Sequence, residues 1–416
     1  MIRRMAGFLL NVFFIFAALL TVSAGYAQDS NPASTSTPAP PALEDFWNGQ
    51  AEWAQELDDV GLPVGESDTI AVNEALFWSY THASFESAGI IDQCGEPVAF
   101  PGCAVHWEST DGGENFSLPA QVCMLPCQAC PCTDARDHQG TTDHGTREAS
   151  QQYPRVVATE DVYIMVYEWH AQTMLRTSPD GLVWSDWTPL TAPSGTWPSS
   201  YIPCSDVERI GPHPYIRGEV HDCLVGAPPG LFVEDETLYV FVSAGSAPGH
   251  MRCYKGSRDN LGSLQICDTD PLFSGAETYG PMGLTGAAAN AYFDFRYMSS
   301  ADVLQVGDRY YMMYEGVRGP EQLEIGRDTQ FGLGLARSTT SAIDGPWEKF
   351  PGNPILEDIG FNWGIGHADL IVVDGITYLY TTTSIDVSYG KNQSIVSAGG
   401  TRGRYRLQWK DNEPSD

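Results

Sequence analysis

The chain has few basic residues for its length. Of its 416 residues, 22 are Lys or Arg and 53 are Asp or Glu, so the formal net charge is −31. A nucleic-acid-binding surface needs clustered Lys and Arg to neutralise phosphates, and a polybasic membrane-binding segment needs the same residues. The composition therefore excludes both classes. Charged residues of either sign make up only 18% of the chain while 42% is hydrophobic, which excludes a globally disordered protein.

Glycine and proline are both abundant, with 42 and 28 residues, and this favours many turns over long helices. A prior of about 150 residues per domain gives two or three domains, but all-β barrels and propellers commonly form larger single domains.

The N-terminal segment has the features of an export signal. Two arginines precede an apolar run over residues 8–22, which is short for a membrane span. Small residues at the −1 and −3 positions predict cleavage after Ala27, with an uncleaved anchor as the alternative. We expect a signal peptide over 1–27, a Ser/Thr/Pro-rich linker over 28–42 and a single domain over 43–416. The predicted location is the periplasm or the outside of the cell.

The ten cysteines fit disulfides in an oxidising compartment. Four of them crowd between residues 123 and 132, where two disulfides are favoured over a zinc site because the spacing is not a pair of CxxC knuckles. The other six form three local pairs, which we predict as Cys94–Cys103, Cys204–Cys223 and Cys253–Cys267.

A strand–turn–strand unit recurs along the chain. Residues 301–312 and 368–379 are its clearest copies, each with Ala-Asp, an apolar strand, a Gly/Asp turn and a second strand rich in aromatics. Successive copies are 67 to 87 residues apart, which leaves room for a four-stranded sheet in each repeat. This spacing predicts an all-β fold, a five-bladed β-propeller with four-stranded antiparallel blades. The five equivalent anchor positions are Asp68, Arg155, Gly230, Asp302 and Asp369.

Two turns and the last strand fit the same pattern. Residues 109–116 (STDGGENF) resemble the Asp box of sialidase-type propellers, and residues 178–184 (SPDGLVW) are a variant. We expect Asp111 and Asp180 to shape these turns and assign them no chemistry. The final strand, residues 403–409, is predicted to close the ring with sequence from the N-terminus.

Three further motifs carry a family resemblance. The stretches 307–316 (GDRYYMMYEG), 345–349 (GPWEK) and 353–356 (NPIL) resemble five-bladed propeller glycosidases, the broad group around glycoside hydrolase families 43 and 32. The resemblance covers roughly residues 65–410. It implies a sugar-binding pocket at the propeller axis and hydrolysis of oligo- or polysaccharides. Sialidase chemistry is disfavoured because no early Arg-Ile-Pro motif is present.

Carboxylates from separate parts of the chain should converge at one end of such a ring. The first-strand position is acidic in three repeats, and the end of the second strand is acidic in two, so the candidate catalytic residues are Asp68, Glu168, Asp302, Glu315 and Asp369. Glycoside hydrolysis needs a proton donor and a base or nucleophile, and crowded carboxylates separate each other's pKa values. The alternative for each Asp is a turn or cap residue that bonds to backbone.

The resemblance implies a base or nucleophile Asp in the first blade, a supporting Asp in the second and an acid Glu in the third. Asp68 matches the first position, but Arg155 and Gly230 stand at the anchors of blades two and three. An acid from the loop that enters the third blade, where Glu219 lies, is one substitute.

Candidate substrate-binding residues flank these carboxylates. We expect aromatic rings to stack on sugars and His or Arg to bind hydroxyls or carboxylates, with ordinary packing and salt bridging as the alternatives. These candidates are Trp169, His170, Arg296, Arg318, Trp363 and His367.

The expected protein is thus a secreted, monomeric glycosidase with a carbohydrate substrate, no nucleic-acid partner and no membrane span in the mature chain. It requires no cofactor, and a structural Ca²⁺ at the axis near His367 is the one ion that the pattern leaves open. A non-catalytic propeller that binds glycan or protein is the alternative, and a lyase or phosphorylase is a third class.

Overall fold

Nearly all regular structure among the residues that the structure describes is β-strand, as the repeated strand–turn–strand unit predicts. The computed structural model describes residues 38–63, 65–81, 104–118, 152–169, 172–185, 188–190, 201–202, 223–224, 229–244, 249–260, 264–275, 293–295, 297–318, 330–357, 365–389 and 395–411.

The strands are short and end at turns that contain Gly, Asp or Asn. In chain order the elements are α1 (Leu43–Trp47), β1 (Ala51–Leu57), β2 (Ser67–Ala71), β3 (Phe77–Thr81), β4 (Val105–Ser109), β5 (Gln152–Ala158), β6 (Tyr163–Trp169), β7 (Gln172–Ser178), β8 (Thr188–Pro189), β9 (Tyr201–Ile202), β10 (Cys223–Leu224), β11 (Gly230–Glu234), β12 (Thr237–Ala244), β13 (His250–Ser257), β14 (Gln265–Ile266), β15 (Phe273–Ser274), β16 (Tyr297–Val306), β17 (Arg309–Arg318), β18 (Gln330–Ser338), β19 (Trp347–Lys349), β20 (Leu356–Glu357), β21 (Asp369–Val373), β22 (Ile376–Tyr389) and β23 (Ile395–Trp409).

These strands form five antiparallel sheets, which are the blades of a propeller, and one two-stranded ribbon of β9 and β10. Blade 1 is β2–β4, blade 2 is β5–β8, blade 3 is β11–β15, blade 4 is β16–β20, and blade 5 is β21–β23 with β1. The predicted five-bladed fold is confirmed. Blades 2 and 5 have the predicted four strands. In blades 3 and 4 two short strands share the outer position, and in blade 1 a single bridge from Glu108 to Ser117 takes it.

The first strands of the blades form the inner wall of a ring. Each packs against the first strand of the next blade, in the order β2, β5, β11, β16, β21, and β21 returns to β2. The five anchor residues occupy equivalent registers, for example Asp68 opposite Tyr80 and Asp369 opposite Tyr380. We call the end of the ring at which these strands begin the mouth.

Apolar packing between blades holds the ring together. The described residues contain five hydrophobic clusters, and each lies at one of the five blade interfaces. Strand side chains alternate between the two faces of a sheet, so each blade can present one apolar face to each neighbour. Burial of this kind stabilises by about 25 cal/mol for each Å² of apolar surface removed from water.

The ring is closed by pairing between the two ends of the described chain. β1 adds to β23 in antiparallel register, with Ala51 opposite Trp409 and Trp53 opposite Leu407. The prediction that the last strand meets N-terminal sequence is therefore confirmed. Residues Pro40–Asp416 form one compact unit by their contacts.

The two Asp-box turns are structural, as predicted. Asp111 accepts hydrogen bonds from the backbone N–H groups of residues 114 and 115, and Asp180 does the same for residues 182 and 183. Each turn also accepts a hydroxyl from the preceding blade: the Tyr380 hydroxyl donates to the Gly113 carbonyl, and Tyr80 donates to Gly181. Both glycines have positive φ, so a side chain at either position would be strained.

One predicted disulfide lies within the described residues and is present. Cys253 in β13 is bonded to Cys267, with 5.3 Å between their Cα atoms. The other predicted pairs, and the cysteine cluster at 123–132, involve side chains outside the described residues. Among the residues that the structure describes, no helix is both apolar and long enough to span a bilayer.

Candidate functional site at the hub

The side chains that converge on the axis form what we call the hub. They are Glu66, Ser67, Asp68, Thr69, Arg155, Ser300, Asp302, Glu315, His367, Asp369 and Arg402, and each is at most 9% exposed. Four of the five predicted catalytic carboxylates lie in the hub, and the fifth, Glu168, lies in β6.

The three anchor aspartates form clasps between adjacent blades. Each accepts the backbone N–H that follows the anchor position of the next blade. Asp302 Oδ2 accepts from Leu370 N at 2.5 Å, Asp369 Oδ1 accepts from Thr69 N at 3.0 Å, and Asp68 Oδ2 accepts from Val156 N. The alternative interpretation, that these aspartates bond to backbone, therefore describes at least one oxygen of each.

Asp369 is the most completely engaged of the three. It is 0% exposed, and its second oxygen accepts from Thr69 Oγ1 at 2.7 Å and Ser67 Oγ at 2.8 Å. A carboxylate whose oxygens are all bonded in the core has none left for a substrate. Its contacts favour a structural role over the predicted catalytic one.

A second tier of side chains lies two residues before the anchors, closer to the mouth. Residues i and i−2 share one face of a strand. In blades 2, 4 and 5 the second-tier residues Tyr153, Ser300 and His367 all have φ between 52° and 62°. Left-handed backbone at such non-Gly residues is uncommon, and its recurrence at one level of the ring marks this tier as constrained.

Glu66 of this tier and Glu315 of β17 share their hydrogen-bond partners. His367 Nδ1 lies 2.9 Å from Glu66 Oε1 and 3.7 Å from Glu315 Oε1. The Ser300 hydroxyl lies within reach of both carboxyl groups, at 3.1 Å from Glu315 Oε2, and Ser299 Oγ donates to that same oxygen at 3.0 Å. Glu315 Oε1 has no hydrogen-bond partner among the described residues. A Cβ at Gly366 would collide with it, so the glycine makes room for this oxygen.

Two arginines supply the positive charge of the hub. Arg155 Nη2 donates to Glu66 Oε2 at 3.0 Å, and its Nη1 donates to Asp68 Oδ1 at 3.3 Å. Arg402 Nη2 donates to the carbonyl of His367 at 2.8 Å, and burial lowers the pKa of Arg402 to about 10. Both arginines are at most 2% exposed.

The hub carboxyls differ in their affinity for protons. Burial alone would raise the pKa of Glu66, but the Arg155 guanidinium and His367 outweigh it and lower it to about 2. Burial raises the pKa of Glu315, against the opposing effect of His367. Burial also raises the pKa of Asp302 to about 6 and that of Asp68 and Asp369 above its ordinary value. The pKa values of these two neighbouring glutamates are therefore shifted in opposite directions, that of Glu66 downward and that of Glu315 upward.

The remaining predicted site residues are only partly described. Glu168 is 7% exposed and lies in β6 opposite Gln152, as Glu315 lies in β17 opposite Ser299. Trp169 and Arg318 end β6 and β17, and their side chains are outside the described residues. His170, Arg296 and Trp363 lie outside the described residues altogether, as does Glu219. Their assignments stay predictions.

Sequence reasoning missed Glu66, Ser300 and Arg402, and it missed the role of Arg155. The signal for Glu66 was its position two residues before the Asp68 anchor, which places both on one strand face. In blades 2 and 4 the pairing register shifts just before the anchor, at bulges in β5 and β16. The sequence alone therefore does not show that residues two positions before these anchors also face the hub.

A structural Ca²⁺ at the axis does not fit the hub. Ca²⁺ takes six to eight oxygen ligands. The carbonyls of Ser67, Ser300 and Ala368 converge there, but they accept hydrogen bonds from Arg155 at 2.9–3.4 Å. Two trios of side chains, Glu66 with Glu315 and His367, and the three anchor aspartates, have ligand atoms within 4.8 Å of one another. Both oxygens of Glu66, Asp68 and Asp369 already lie within hydrogen-bond distance of protein groups, so neither trio offers a free shell of six to eight oxygens.

No protein-family model matches the chain, and no curated protein matches it. Among solved structures it is similar to a GH43_12 protein retrieved from the capybara gut metagenome, at 14% identity and a TM-score of 0.48 over 90% of this chain and 56% of that one. It is also similar to an endo-1,4-beta-xylanase from Bacteroides thetaiotaomicron, at 16% identity and a TM-score of 0.44 over 84% of this chain and 98% of that one.

A third similar structure is an alpha-L-arabinofuranosidase from Podospora anserina, at 13% identity and a TM-score of 0.46 over 86% of this chain and 97% of that one. The chain spans little more than half the length of the capybara-gut protein. These neighbours include the glycoside hydrolase group that the sequence motifs resemble. At such identities and TM-scores the likeness decides nothing about activity, and the fold rests on the sheet topology of the chain itself.

Proposed function

We propose that this chain is a glycoside hydrolase that cleaves oligo- or polysaccharides at the mouth of the propeller. One observation carries the proposal. Five hub carboxyls (Glu66, Asp68, Asp302, Glu315 and Asp369) face two guanidiniums, those of Arg155 and Arg402. Even with His367 protonated, two carboxyls lack a counter-charge. Because burying unpaired charge is costly, the hub keeps neutral acids beside ionised ones, as glycoside hydrolysis requires.

Glu315 is the proposed proton donor. Burial raises its pKa, which favours the protonated form, and its Oε1 has no hydrogen-bond partner among the described residues. Glycosidic bonds break when such an acid protonates the leaving oxygen while a second carboxylate, or a water that it activates, acts on the anomeric carbon.

Glu66 is the proposed ionised partner. Arg155 and His367 keep it deprotonated, and its carboxyl oxygens approach those of Glu315 to within 4.8 Å. Carboxyl groups about 5–5.5 Å apart are typical of retaining enzymes, whereas inverting enzymes hold them about 6.5–9.5 Å apart. Oxygens this close favour the retaining arrangement over the inverting one, if this pair performs the chemistry.

The test compares Glu315→Gln, Glu66→Gln and the exposed control Glu236→Gln on a panel of polysaccharides and aryl glycosides. Loss of a general acid costs about 10²–10⁴-fold on substrates with poor leaving groups and little on activated aryl glycosides. Glu315→Gln should show that dependence on the leaving group, while Glu66→Gln should be slow on all substrates. If both variants keep wild-type turnover on every substrate, these roles are wrong.

A non-catalytic glycan-binding propeller is the second candidate. Glu66 and Glu315 are only 1% and 2% exposed, which favours a structural role for the pair. That function predicts saturable binding of an oligosaccharide in calorimetry, with no reducing ends released, and equal affinity in wild type and Glu315→Gln.

A further inference from the structure

The anchor ring has one member of opposite charge. Three of the five anchors are aspartates, and the anchor of blade 3 is Gly230, where a Cβ would meet the Ala301 carbonyl oxygen at 2.5 Å. Blade 3 therefore contributes no side chain to this level of the hub. Blade 2 contributes Arg155, whose side chain is long enough to cross the axis.

The contacts of Arg155 reach three other blades. Its guanidinium donates to the Ser67 carbonyl of blade 1 at 3.0 Å, to the Ala368 carbonyl of blade 5 at 2.9 Å and to the Ser300 carbonyl of blade 4 at 3.4 Å. It also pairs with Glu66 and Asp68. The guanidinium is thus surrounded by carbonyl and carboxylate oxygens, which is the environment that a bound metal ion has in proteins.

We propose that the guanidinium of Arg155 is the axial cation of this propeller, that it replaces a bound metal ion, and that it positions Glu66 as an ionised carboxylate. The part that concerns Glu66 rests on the proposed glycosidase function. The part that concerns the cation does not, because it is a statement about the folded ring.

The charges around Arg155 support this role. Burial alone would lower its pKa, but Glu66, Asp68, Asp302 and Asp369 outweigh it and raise it, so the guanidinium is charged at every accessible pH. A covalently attached cation is present at any ion concentration and cannot be chelated. Among the residues that the structure describes, the other titratable groups that face Glu66 and the axis are Glu315, His367 and Arg402.

The first experiment measures thermal unfolding of the wild-type chain in EDTA and in CaCl₂. The proposal expects the same melting temperature in both, within about 1 °C, since a ligand stabilises only the state that binds it. A fall in EDTA that CaCl₂ reverses would overturn the proposal, because a metal would then be the axial cation. This arm needs neither a variant nor any enzymatic activity.

The second experiment replaces the guanidinium. Arg155→Ala should lower the melting temperature by about 5–10 °C, the size expected when one partner of a buried charge network is removed. Guanidinium chloride at about 20 mM should restore a large part of the loss by filling the vacated space. Arg252→Ala is the matched control: Arg252 is 1% exposed, but it pairs with Asp270 away from the hub. If guanidinium chloride rescues both variants equally, Arg155 behaves like any other buried arginine and the axial-cation proposal fails.

The third experiment separates positioning from structure. Without Arg155, burial acts on Glu66 unopposed by its main counter-charge, so the acidic limb of the pH–rate profile should move to higher pH by about 1 unit or more. Arg155→Lys keeps a charge and should move the limb less than Arg155→Ala. An unchanged limb in both variants would refute the positioning role. If the chain hydrolyses no glycoside at all, the proposed function fails, while the melting experiments still decide the axial cation.

Discussion

The clasp between blades 5 and 1 can be broken at a single residue. Asp369 accepts three hydrogen bonds from Ser67 and Thr69, at 2.7–3.0 Å, and is 0% exposed. Asp369→Ala removes the acceptor for all three and leaves the donors buried. Bonds to a charged group contribute about 1.5–3 kcal/mol each and are not additive, so we expect a loss of about 3–5 kcal/mol in the free energy of unfolding.

The conservative variant Asp369→Asn separates the contribution of the charge from that of the hydrogen-bond geometry. Asp369→Asn keeps the shape and the oxygen that accepts from Thr69 N, and hydroxyl groups can rotate to accept from the amide. Its cost should be about 1–2 kcal/mol. Asp308→Ala, in the exposed turn of blade 4, should stay within about 0.5 kcal/mol of wild type.

Urea unfolding followed by tryptophan fluorescence gives these free energies from the midpoint and slope. If Asp369→Ala and Asp308→Ala unfold at the same urea concentration, the clasp contributes nothing to ring closure and the reasoning fails. An Asn variant as unstable as the Ala variant would show that charge, and not hydrogen-bond geometry, decides the stability at this position.

Three other predictions follow from the hub. Gly366→Ala places a methyl group against Oε1 of the proposed proton donor, so turnover should fall at least about 10²-fold while the midpoint of urea unfolding changes little. Gly230→Ala drives a methyl group into the Ala301 carbonyl, at 2.5 Å in the present backbone, and calorimetry should show a destabilisation of about 2–4 kcal/mol. The pKa of Glu66 is lowered to about 2, so its contribution to stability is present above about 4.5 and is lost as the pH falls to 2. Burial raises the pKa of Asp302 to about 6, so its contribution is present below about 3.8 and is lost as the pH rises to 6. Unfolding curves from pH 2 to 8 should therefore show maximal stability near pH 4, and Asp302→Asn should flatten the decline above that pH.

The fold could be predicted because it depends on features that repeat within each blade. Alternating apolar residues, Gly/Asp turns and a spacing of about 70 residues specify a four-stranded unit without knowledge of its neighbours. The same repetition placed Asp68, Asp302 and Asp369 on the axis. Asp111 and Asp180 could also be recognised as turn residues and not as catalytic candidates, because the geometry of an Asp-box turn depends only on neighbouring residues.

The roles of these aspartates could not be predicted in the same way. Whether Asp302 acts as a base or as a clasp depends on whether the Leu370 N–H lies 2.5 Å away, which is a property of the packing between blades. The residue pattern of a single strand contains no information on how neighbouring blades pack. A comparison of the five anchor positions shows Arg155 only as a missing carboxylate. Its role depends on the carboxylates that it meets across the axis, and the repeat pattern does not show these contacts.

The pairing of β1 with β23 has a consequence for how the chain reaches its native state. Residues 51–57 are synthesised long before residues 404–409, with which they pair. Throughout that interval β1 has no partner strand, and contacts of such high sequence separation form slowly. Exposed strand edges are also sites of intermolecular association. A circular permutant in which residues 40–58 follow residue 411 would turn this distant pairing into a local hairpin, and we would look for its benefit in refolding yield.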